Sequence, residues 1–208
     1  MGNTDGHQNT KRDARAKIMD AAVATIREKG FSAASVDELC KRAGVTKGAF
    51  FHHFDSKQAL GVAAARHWDE MTSEFFAAQD YHAHQDPLQR VLGYIDFRKS
   101  ILQGPVSEFT CLVGTMVQEV YDTAPAIRDA VDVTISRHAA RLETDIAEAI
   151  ERHGIKPEWT AESLALHTQA VLQGAFILAK ARGGPEVAAD SIDHLKRYVS
   201  LLFNKEAA

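Results

Sequence analysis

Cysteine is scarce in this sequence, with two residues, Cys40 and Cys111, among 208. Two thiols are too few for a disulfide framework, and neither has the spacing of a zinc site. Long apolar runs are also missing, because none approaches the roughly 20 residues that span a bilayer. The polar N-terminal segment has no apolar core of a signal peptide. We therefore expect a cytoplasmic protein that binds neither a membrane nor a metal, and nothing in the sequence indicates a cofactor.

Catalytic motifs are missing as well. The sequence has no Gly-x-Ser-x-Gly elbow, no phosphate-binding loop that ends in Gly-Lys-Ser/Thr, and no His-Glu-x-x-His pair. Its ten histidines are scattered, and His82 and His84 lie in a polar segment without a nearby cysteine. The sequence therefore does not favour an enzyme, although an enzyme and a helical scaffold without DNA stay as alternatives.

Charge is divided unevenly along the chain, although the formal total is only −4. Residues 1–60 carry ten Lys and Arg against seven Asp and Glu, a net +3, whereas residues 61–208 carry fourteen against twenty-one, a net −7. Lys and Arg that neutralise phosphates supply much of the affinity for nucleic acid. Phosphate contact is therefore expected in the first sixty residues, and a scaffold would leave this division without a purpose.

Two short helices around a tight turn are predicted between Ser35 and Lys57. Ser35 and Glu38 have the spacing of a Ser-x-x-Glu capping box, which marks the start of the first helix. Gly44 suits a left-handed residue at the end of that helix, and Thr46 can cap the next one. The pattern predicts a helix-turn-helix.

The second of these helices is the candidate for DNA reading, because a helix in the major groove contacts base edges with its N-terminal residues. Gly48 costs roughly 1 kcal/mol in a helix relative to alanine, and close approach to DNA would explain it. The alternative is a helical hairpin in which Gly48 only relieves crowding. The candidate DNA-binding residues are Ser35, Thr46, Lys47, Gly48, Ala49, Phe51, His52, His53 and Lys57.

The chain begins with a segment, residues 1–9, that lacks periodicity and that we expect to be mobile. Lys11, Arg12, Arg15 and Lys17 then form a basic start to the first helix. For Lys11 and Arg12 two interpretations are open, a solvated helix start and a contact with the DNA backbone or minor groove.

Further helices are predicted after the helix-turn-helix, so the expected fold is all-α with about nine helices. The segments are 57–79, 87–103, 108–122, 125–153 and 157–182, and a last helix after the Gly183-Gly184-Pro185 turn bears Ile192, Leu195, Val199 and Leu202. The predicted domains are an N-terminal arm and helix-turn-helix DNA-binding domain, residues 1–56, and a larger effector-sensing and dimerisation domain, residues 57–208.

The helix predicted at 157–182 is apolar or small on most sides. A helix that is apolar nearly all round must be buried on all sides, and a second subunit would cover it in a chain of this size. Paired with its symmetry mate, it would form a four-helix bundle with the last helix; the alternative is that both helices complete one core. The predicted dimer-interface residues are Leu164, Val171, Leu172, Ala175, Ile192, Leu195, Val199 and Leu202.

The first sixty residues resemble the DNA-binding domain of the TetR family of bacterial repressors, without a gap over roughly residues 12–60. The matching residues are Arg15, Ile18, Ala21, Ala22, Gly30, Phe31, Ser35, Val36, Ala43, Gly44, Val45, Thr46, Lys47, Gly48, Phe50, His53, Phe54, Lys57, Ala59 and Leu60. The resemblance implies a homodimeric repressor of a palindromic operator, with an activator role as the alternative. Phe51 stands where the family usually has a tyrosine whose hydroxyl contacts phosphate, so that contact is in question here, although the ring can still pack on the DNA backbone.

Two kinds of signal fit the second domain. The first is a small organic effector in a pocket between helices, although each of the lining candidates alone is more often plain core. Those candidates are Trp68, Tyr94, Phe97, Arg98, Phe109, Met116 and Phe176.

The second kind of signal is chemical modification of Cys111. The stretches TCLVGTMVQEV and GAFILAKA are similar to those of a NemR-like, electrophile-responsive branch of the family, in which a cysteine on the sixth helix lies near a lysine on the eighth. These positions match Cys111 and Lys180, and the resemblance implies that the ammonium favours a reactive thiolate. The alternative is an inert, buried Cys111 in an apolar surrounding.

Overall fold

A computed structural model describes the backbone of residues 5–203 and the side chains of residues 14–203. This part of the chain forms ten α-helices and one 3-10 helix and contains no β-strand. The helices are α1 (Asp5–Lys29), α2 (Val36–Ala43), α3 (Lys47–His53), α4 (Lys57–Ala77), α5 (Pro87–Ser100), α6 (Val106–Phe109), α7 (Leu112–Val120), α8 (Pro125–His153), α9 (Ala161–Arg182) and α10 (Glu186–Phe203), with the 3-10 helix at Asp80–Ala83. The predicted all-α class is confirmed.

The additional helix arises from a break in the segment predicted as one helix at 108–122. Helix α6 ends at Phe109, and Thr110 follows it in an extended conformation with φ −85° and ψ 160°. Helix α7 begins at Leu112. Cys111 therefore lies between two helices rather than within one.

The N-terminal helix is longer than expected, because α1 begins at Asp5 rather than near Lys11. The prediction of a mobile segment at residues 1–9 falls partly on residues 1–4, which lie outside the described part of the chain. The side chains of Lys11 and Arg12 lie outside it as well, so the two interpretations of these residues stay predictions.

Several helix ends follow directly from local sequence. Gly44 and Gly183 end α2 and α9 in the left-handed region, at φ 66° and 74°, where a Cβ is unfavourable. Asp86 caps α5, since its Oδ1 accepts a hydrogen bond from the Leu88 N–H at 3.0 Å. Pro87 then occupies the first position of α5, where its missing N–H costs nothing.

The chain divides into two compact units. Unit 1 comprises residues 1–70 and 112–134, and unit 2 comprises residues 71–111 and 135–208. Unit 1 thus holds α1 to α3, most of α4, α7 and the start of α8. Unit 2 holds α5, α6, most of α8, α9 and α10. The predicted functional boundary after residue 56 stays a prediction.

Unit 1 contains a small core in which α1, α2 and α3 contact one another. Ile18 and Ile26 of α1, Leu39 of α2 and Phe50 of α3 are almost completely buried there. The ring of Phe50 lies 5.8 Å from that of Phe54, which follows α3 directly. Complete burial of one such side chain contributes roughly 1.5–3 kcal/mol. Phe50 therefore fixes α3 on the core while most of the helix surface stays outside.

Unit 2 contains the larger core, with α10 packed against both α9 and α5. Its buried residues include an aromatic cluster at the end of α4, in the 3-10 helix and on α5. The ring of Phe76 lies 5.7 Å from Tyr94 and 5.6 Å from Phe97, and Tyr81 lies 6.0 Å from Tyr94. Tilted and edge-on pairs at these distances add to the stabilisation from burial. No helix within residues 5–203 has the length and apolar character needed to span a membrane.

The residues predicted for the dimer interface face the interior of the single subunit. Leu164, Leu172, Ala175, Ile192, Leu195 and Val199 are buried in the core of unit 2, and Val171 and Leu202 are half-buried against it. Their role in a dimer interface stays a prediction, although a side chain buried within one subunit has little surface left for a second one. The exposed large apolar side chains of α9 and α10 are Leu166, Ile177, Leu178, Tyr198 and Leu201.

Candidate nucleic-acid interface and sensory residues

The helix-turn-helix is held by two side-chain caps and one left-handed glycine. Ser35 Oγ accepts a hydrogen bond from the Glu38 N–H at 3.2 Å, and Thr46 Oγ1 accepts one from the Ala49 N–H at 3.1 Å. Both capping residues have the extended backbone that a helix N-cap requires. Because the caps and Gly44 fix both helix ends, the turn presents α3 in a defined position relative to α2.

Most of α3 is open to solvent. Lys47, Gly48, Phe51 and His52 are exposed, as is the capping residue Thr46. Ala49 and His53 are half-buried, and Phe50 is completely buried. Phe51 is 52% exposed. The predicted residues from Thr46 to His53 thus belong to one short, largely exposed helix and its cap, whereas Ser35 caps α2 and Lys57 begins α4.

The surroundings of Gly48 bear on why glycine occurs there. Among the described residues, a Cβ at Gly48 would meet Thr46 Oγ1 at 3.7 Å and nothing else within 4 Å. This is an ordinary van der Waals distance, so packing inside the subunit does not require glycine. Crowding inside the subunit therefore does not explain Gly48, which leaves a contact outside the subunit as the explanation.

Lys47 has a charged partner in the free protein. Its Nζ lies 2.7 Å from Asp37 Oδ1, and both side chains are well exposed. The hydrogen bond to Asp37 and the charge of that carboxylate raise the pKa of Lys47. Asp37 was not predicted as part of the site. Its position in the first turn of α2 is favourable for an acidic residue anyway, and the contact with Lys47 depends on the turn geometry.

Lys57 is held more tightly than a free surface lysine. Its Nζ donates to the Ser32 carbonyl oxygen at 3.0 Å and lies 4.6 Å from the centre of the Phe31 ring. Burial lowers the pKa of Lys57. The nearby Lys29 lowers this pKa as well, whereas the Glu119 carboxylate raises it. Glu119 Oε2 in turn accepts a hydrogen bond from the Ser32 N–H at 2.6 Å. The loop between α1 and α2 is thus held from both α4 and α7.

The residues predicted to line an effector pocket are divided between the two units. Trp68 and Met116 belong to unit 1. There the guanidinium of Arg27 lies 4.9 Å from the Trp68 ring, and Met116 is fully buried. The remaining candidates, in unit 2, are Tyr94, Phe97, Arg98, Phe109 and Phe176.

Arg98 lies among aromatic rings in unit 2. Its guanidinium is 5.2 Å from the centre of the Phe76 ring and 5.3 Å from that of Phe176. Phe109 lies 6.5 Å from Phe176 on the same side of the core. The Nε of Arg98 is buried without a hydrogen-bond partner among the described residues. Ring faces therefore stabilise much of this charge by cation–π attraction.

The two cysteines differ in accessibility. Cys111 is half-buried and packs against the core of unit 2, whereas Cys40 is buried in unit 1, where burial raises the pKa of its thiol. Lys180 is exposed in the last turn of α9. Cys111 is thus the more accessible thiol.

A cavity of about 140 Å³ lies in unit 2. Of the predicted effector residues, Tyr94 lines it, together with Phe76, Tyr81, His138 and Asp145. His138 lies at helical spacing within the apolar stripe of α8 although histidine is polar. This pattern in the sequence indicates a polar side chain on the inner side of the helix. That signal was missed.

Known proteins share both parts of this architecture. Residues 18–64 match the family model described as "Bacterial regulatory proteins, tetR family", and residues 87–195 match the one described as "Tetracyclin repressor-like, C-terminal domain". The chain belongs to the TetR family. As a TetR-family protein it is a DNA-binding transcriptional regulator, and the resemblance found in its first sixty residues is confirmed.

Relatives match the TetR-family chain over most of its length. The HTH-type transcriptional repressor NemR of Escherichia coli K12 is 27% identical over 208 residues, which cover 93% of this chain and 98% of NemR. The crystal structure of reduced E. coli NemR has a TM-score of 0.76 at 23% identity and covers 94% of this chain and 100% of that one. A TetR regulator from Chloroflexus aurantiacus J-10-FL reaches a TM-score of 0.81 at 25% identity, over 92% and 96% of the two chains.

Proposed function

We propose that this protein is a homodimeric repressor that binds a palindromic operator through α3 and leaves it when unit 2 receives a chemical signal. The observation that carries the proposal is the exposed surface of α3, which Phe50 alone fixes to the core by complete burial. DNA reading is assigned to residues 1–56, and sensing and dimerisation to residues 57–208. The relative NemR is named as a repressor, which supports repression rather than activation.

The side chains of α3 divide between base edges and the DNA backbone. Thr46, Gly48 and Ala49 are at the N-terminal end of the helix, which enters the major groove first in helix-turn-helix proteins. Exposed Phe51 packs against the backbone, and His52 and His53 add donors in the last turn. Ser35, at the N-terminus of α2, lies where backbone N–H groups favour a phosphate.

Lys47 and Lys57 supply phosphate contacts in this proposal. Lys47→Ala should weaken binding to all duplex sequences and flatten the dependence of log K on log salt by about one unit. Lys156→Ala is the matched control, since Lys156 is exposed in unit 2 and outside the proposed interface. Fluorescence anisotropy at several salt concentrations measures the slope. An unchanged slope for Lys47→Ala would reject the phosphate contact.

The exposed apolar side chains of α9 and α10 are proposed as the dimer contact in place of those buried in the core. Leu201 is 66% exposed and Ile177 46%, on helices that pack together in one subunit. Two such helix pairs related by a two-fold axis form a four-helix bundle. The two α3 helices would then reach half-sites about 34–36 Å apart.

The dimer proposal is tested by charge insertion. Ile177→Asp and Leu201→Asp should give monomers in sedimentation experiments, whereas Val133→Asp, at a residue 52% exposed on α8, should not. The same two variants should lose binding to a full palindrome while keeping the weaker binding of a single half-site. A stable dimer in both variants would move the interface elsewhere.

Two signals stay open for release, a small effector and modification of Cys111. The Cys111 position, half-buried and outside a helix, supports access by small electrophiles or oxidants. Modification should weaken operator binding, Cys111→Ser should abolish the response, and Cys40→Ala should keep it, because Cys40 is buried. Lys180→Met should slow the modification if its ammonium promotes the thiolate. Equal release of wild type and Cys111→Ser by the reagent would exclude this signal.

A further inference from the structure

The cavity in unit 2 has the size of one six-membered ring. Its volume is about 140 Å³, and a cavity of about 150 Å³ in another protein is known to hold benzene. It lies where the end of α4 and the 3-10 helix meet α5 and α8, with walls from Phe76, Tyr81, Tyr94 and His138. A fused two-ring compound would extend beyond this volume into the open side of the cavity.

Aromatic rings form most of the wall. The His138 ring is edge-on to Phe76 at 4.8 Å between centroids and lies 5.8 Å from Tyr94. Tyr81 is edge-on to Tyr94 at 6.0 Å. Faces and edges arranged in this way complement another aromatic ring better than an aliphatic chain.

A chain of hydrogen bonds bears on which ring nitrogen of His138 carries the proton that a ligand can use. The buried Gln169 Nε2 donates to Tyr94 Oη at 3.2 Å, and the same oxygen lies 2.9 Å from His138 Nε2, to which we assign the tyrosine proton. The proton of a neutral His138 ring is then on Nδ1. Tyr81 Oη is already engaged, since it donates to the Phe76 carbonyl oxygen at 3.3 Å. The other polar side chains of the wall have partners as well, since His82 Nε2 lies 3.1 Å from the Phe76 carbonyl oxygen and Arg141 donates to Ser73 Oγ. Nδ1–H of His138 is therefore the donor assigned to a ligand in this cavity.

Charge near the cavity disfavours a cationic ligand. Burial, and then repulsion from Arg98 and Arg141, lower the pKa of His138 to about 3, so positive charge is unfavourable at this place. Asp145, the acidic residue of the wall, is neutralised by Arg90, whose Nε lies 2.6 Å from Oδ1 with both side chains 16% exposed. A ligand atom that carries partial negative charge suits these surroundings.

We propose that this cavity binds a single-ring aromatic compound whose carbonyl oxygen accepts a hydrogen bond from Nδ1–H of His138. The inference rests on the proposed function in that such a compound would be the effector. It deepens that function by naming the residues and the chemical class. Cys111 does not line this cavity, so the ligand test does not depend on the thiol.

A pair of ligands with the same shape tests the hydrogen bond. Acetophenone and α-methylstyrene differ by replacement of C=O with C=CH₂, and 2-acetylnaphthalene adds a ring. Calorimetric titration of the full chain without DNA should show acetophenone binding up to about tenfold tighter than α-methylstyrene, as expected for one neutral hydrogen bond. 2-Acetylnaphthalene should bind more weakly than acetophenone, because its second ring lies outside the cavity.

Variants locate the binding. His138→Phe keeps a ring and removes the donor, so the preference for acetophenone should fall to about one, while His67→Phe in unit 1 should preserve it. Leu142→Trp should fill the cavity and abolish binding of both compounds. Equal affinities of the wild type for the two compounds, tight binding of 2-acetylnaphthalene, or no binding at all would overturn the proposal.

The outcome for the operator separates the two proposals. If the protein binds its operator but not acetophenone, the cavity proposal fails and the repressor proposal stands. If acetophenone binds but the operator stays occupied in a gel shift, the ligand class holds and the role in release is rejected. If no operator is bound at all, the proposed repressor function fails irrespective of the ligand result.

Discussion

The neutral state of His138 predicts a specific loss of stability in mild acid. In the folded protein, burial and then the charges of Arg98 and Arg141 lower the pKa of His138 from 6.5 to about 3. In the unfolded chain His138 binds a proton below about pH 6.5, whereas in the folded chain it binds one only near pH 3. The stability associated with His138 is therefore complete above pH 6.5 and is lost as the pH falls from 6.5 towards 3.

The size of the effect follows from the two pKa values. Each unit of pH in this window changes the free energy of unfolding by at most about 1.4 kcal/mol per proton. Integrated from pH 8 to pH 5, with an unfolded pKa of 6.5 and a folded value near 3, the loss comes to about 2 kcal/mol. This is a substantial part of the roughly 5–15 kcal/mol that stabilises a typical domain.

The assay compares wild-type His138 with His138→Gln, which keeps an acceptor for the Tyr94 hydroxyl but does not titrate. Both proteins carry Trp68→Phe, so fluorescence reports on Trp159, which packs against the core of unit 2 near Phe203. Urea unfolding is followed from pH 8 to pH 5. Carboxylates titrate in both proteins, so their contribution cancels in the difference between the two.

That difference should shift by about 2 kcal/mol between pH 8 and pH 5, with the His138 protein losing more. NMR of the imidazole provides an independent measurement, because the ring should stay neutral at pH 5. A difference that is constant with pH, or a ring that titrates near pH 6.5, would refute the reasoning.

Three further predictions concern unit 1. Gly48→Ala should raise the free energy of unfolding by up to about 1 kcal/mol, yet weaken operator binding measured by anisotropy. Unimpaired binding would show that glycine is not needed there for contact with DNA. Asp37→Asn should tighten operator binding up to about fivefold by releasing Lys47, and the gain should vanish in a Lys47→Ala background. Glu119→Gln should lower the stability of unit 1 by about 1 kcal/mol, since a carboxylate on the Ser32 N–H at 2.6 Å becomes a neutral amide; an unchanged melting curve would show that this contact contributes nothing.

The helix-turn-helix could be predicted from the sequence because its determinants are local. Ser35 and Thr46 each hydrogen-bond to a backbone N–H three residues ahead, and Gly44 takes the left-handed conformation expected of it. Residues so close in sequence meet whatever the rest of the chain does. The turn geometry is therefore predictable from short-range sequence pattern alone.

The orientation of α9 could not be obtained in the same way. Leu164 and Leu172 are buried, while Leu166 and Ile177 on the other side of the helix are exposed. Both sides are apolar, so helical periodicity has no polar contrast from which to identify the inner one. The inner side of α9 is determined by α10, which packs along it.

The candidate effector site depended on long-range contacts as well. Tyr94 meets His138 across 44 residues and Gln169 across 75. Trp68 and Met116 share the apolar character of pocket residues but belong to the other unit. Composition therefore identified suitable residue types, whereas the position of His138 within an apolar stripe was the more specific signal.

Operator binding exchanges contacts rather than simply adding them. In the free protein Lys47 is paired with Asp37, and the Lys57 ammonium donates to the Ser32 carbonyl oxygen and lies over the Phe31 ring. In the proposed complex each phosphate replaces one of these partners, so the net gain is smaller than that of a phosphate meeting an unengaged lysine. Salt slope and affinity should then respond differently: removal of Asp37 raises affinity, while removal of Lys47 reduces the number of ions displaced. A signal that favours the intramolecular pairs by a small free energy can therefore release the operator without unfolding α3.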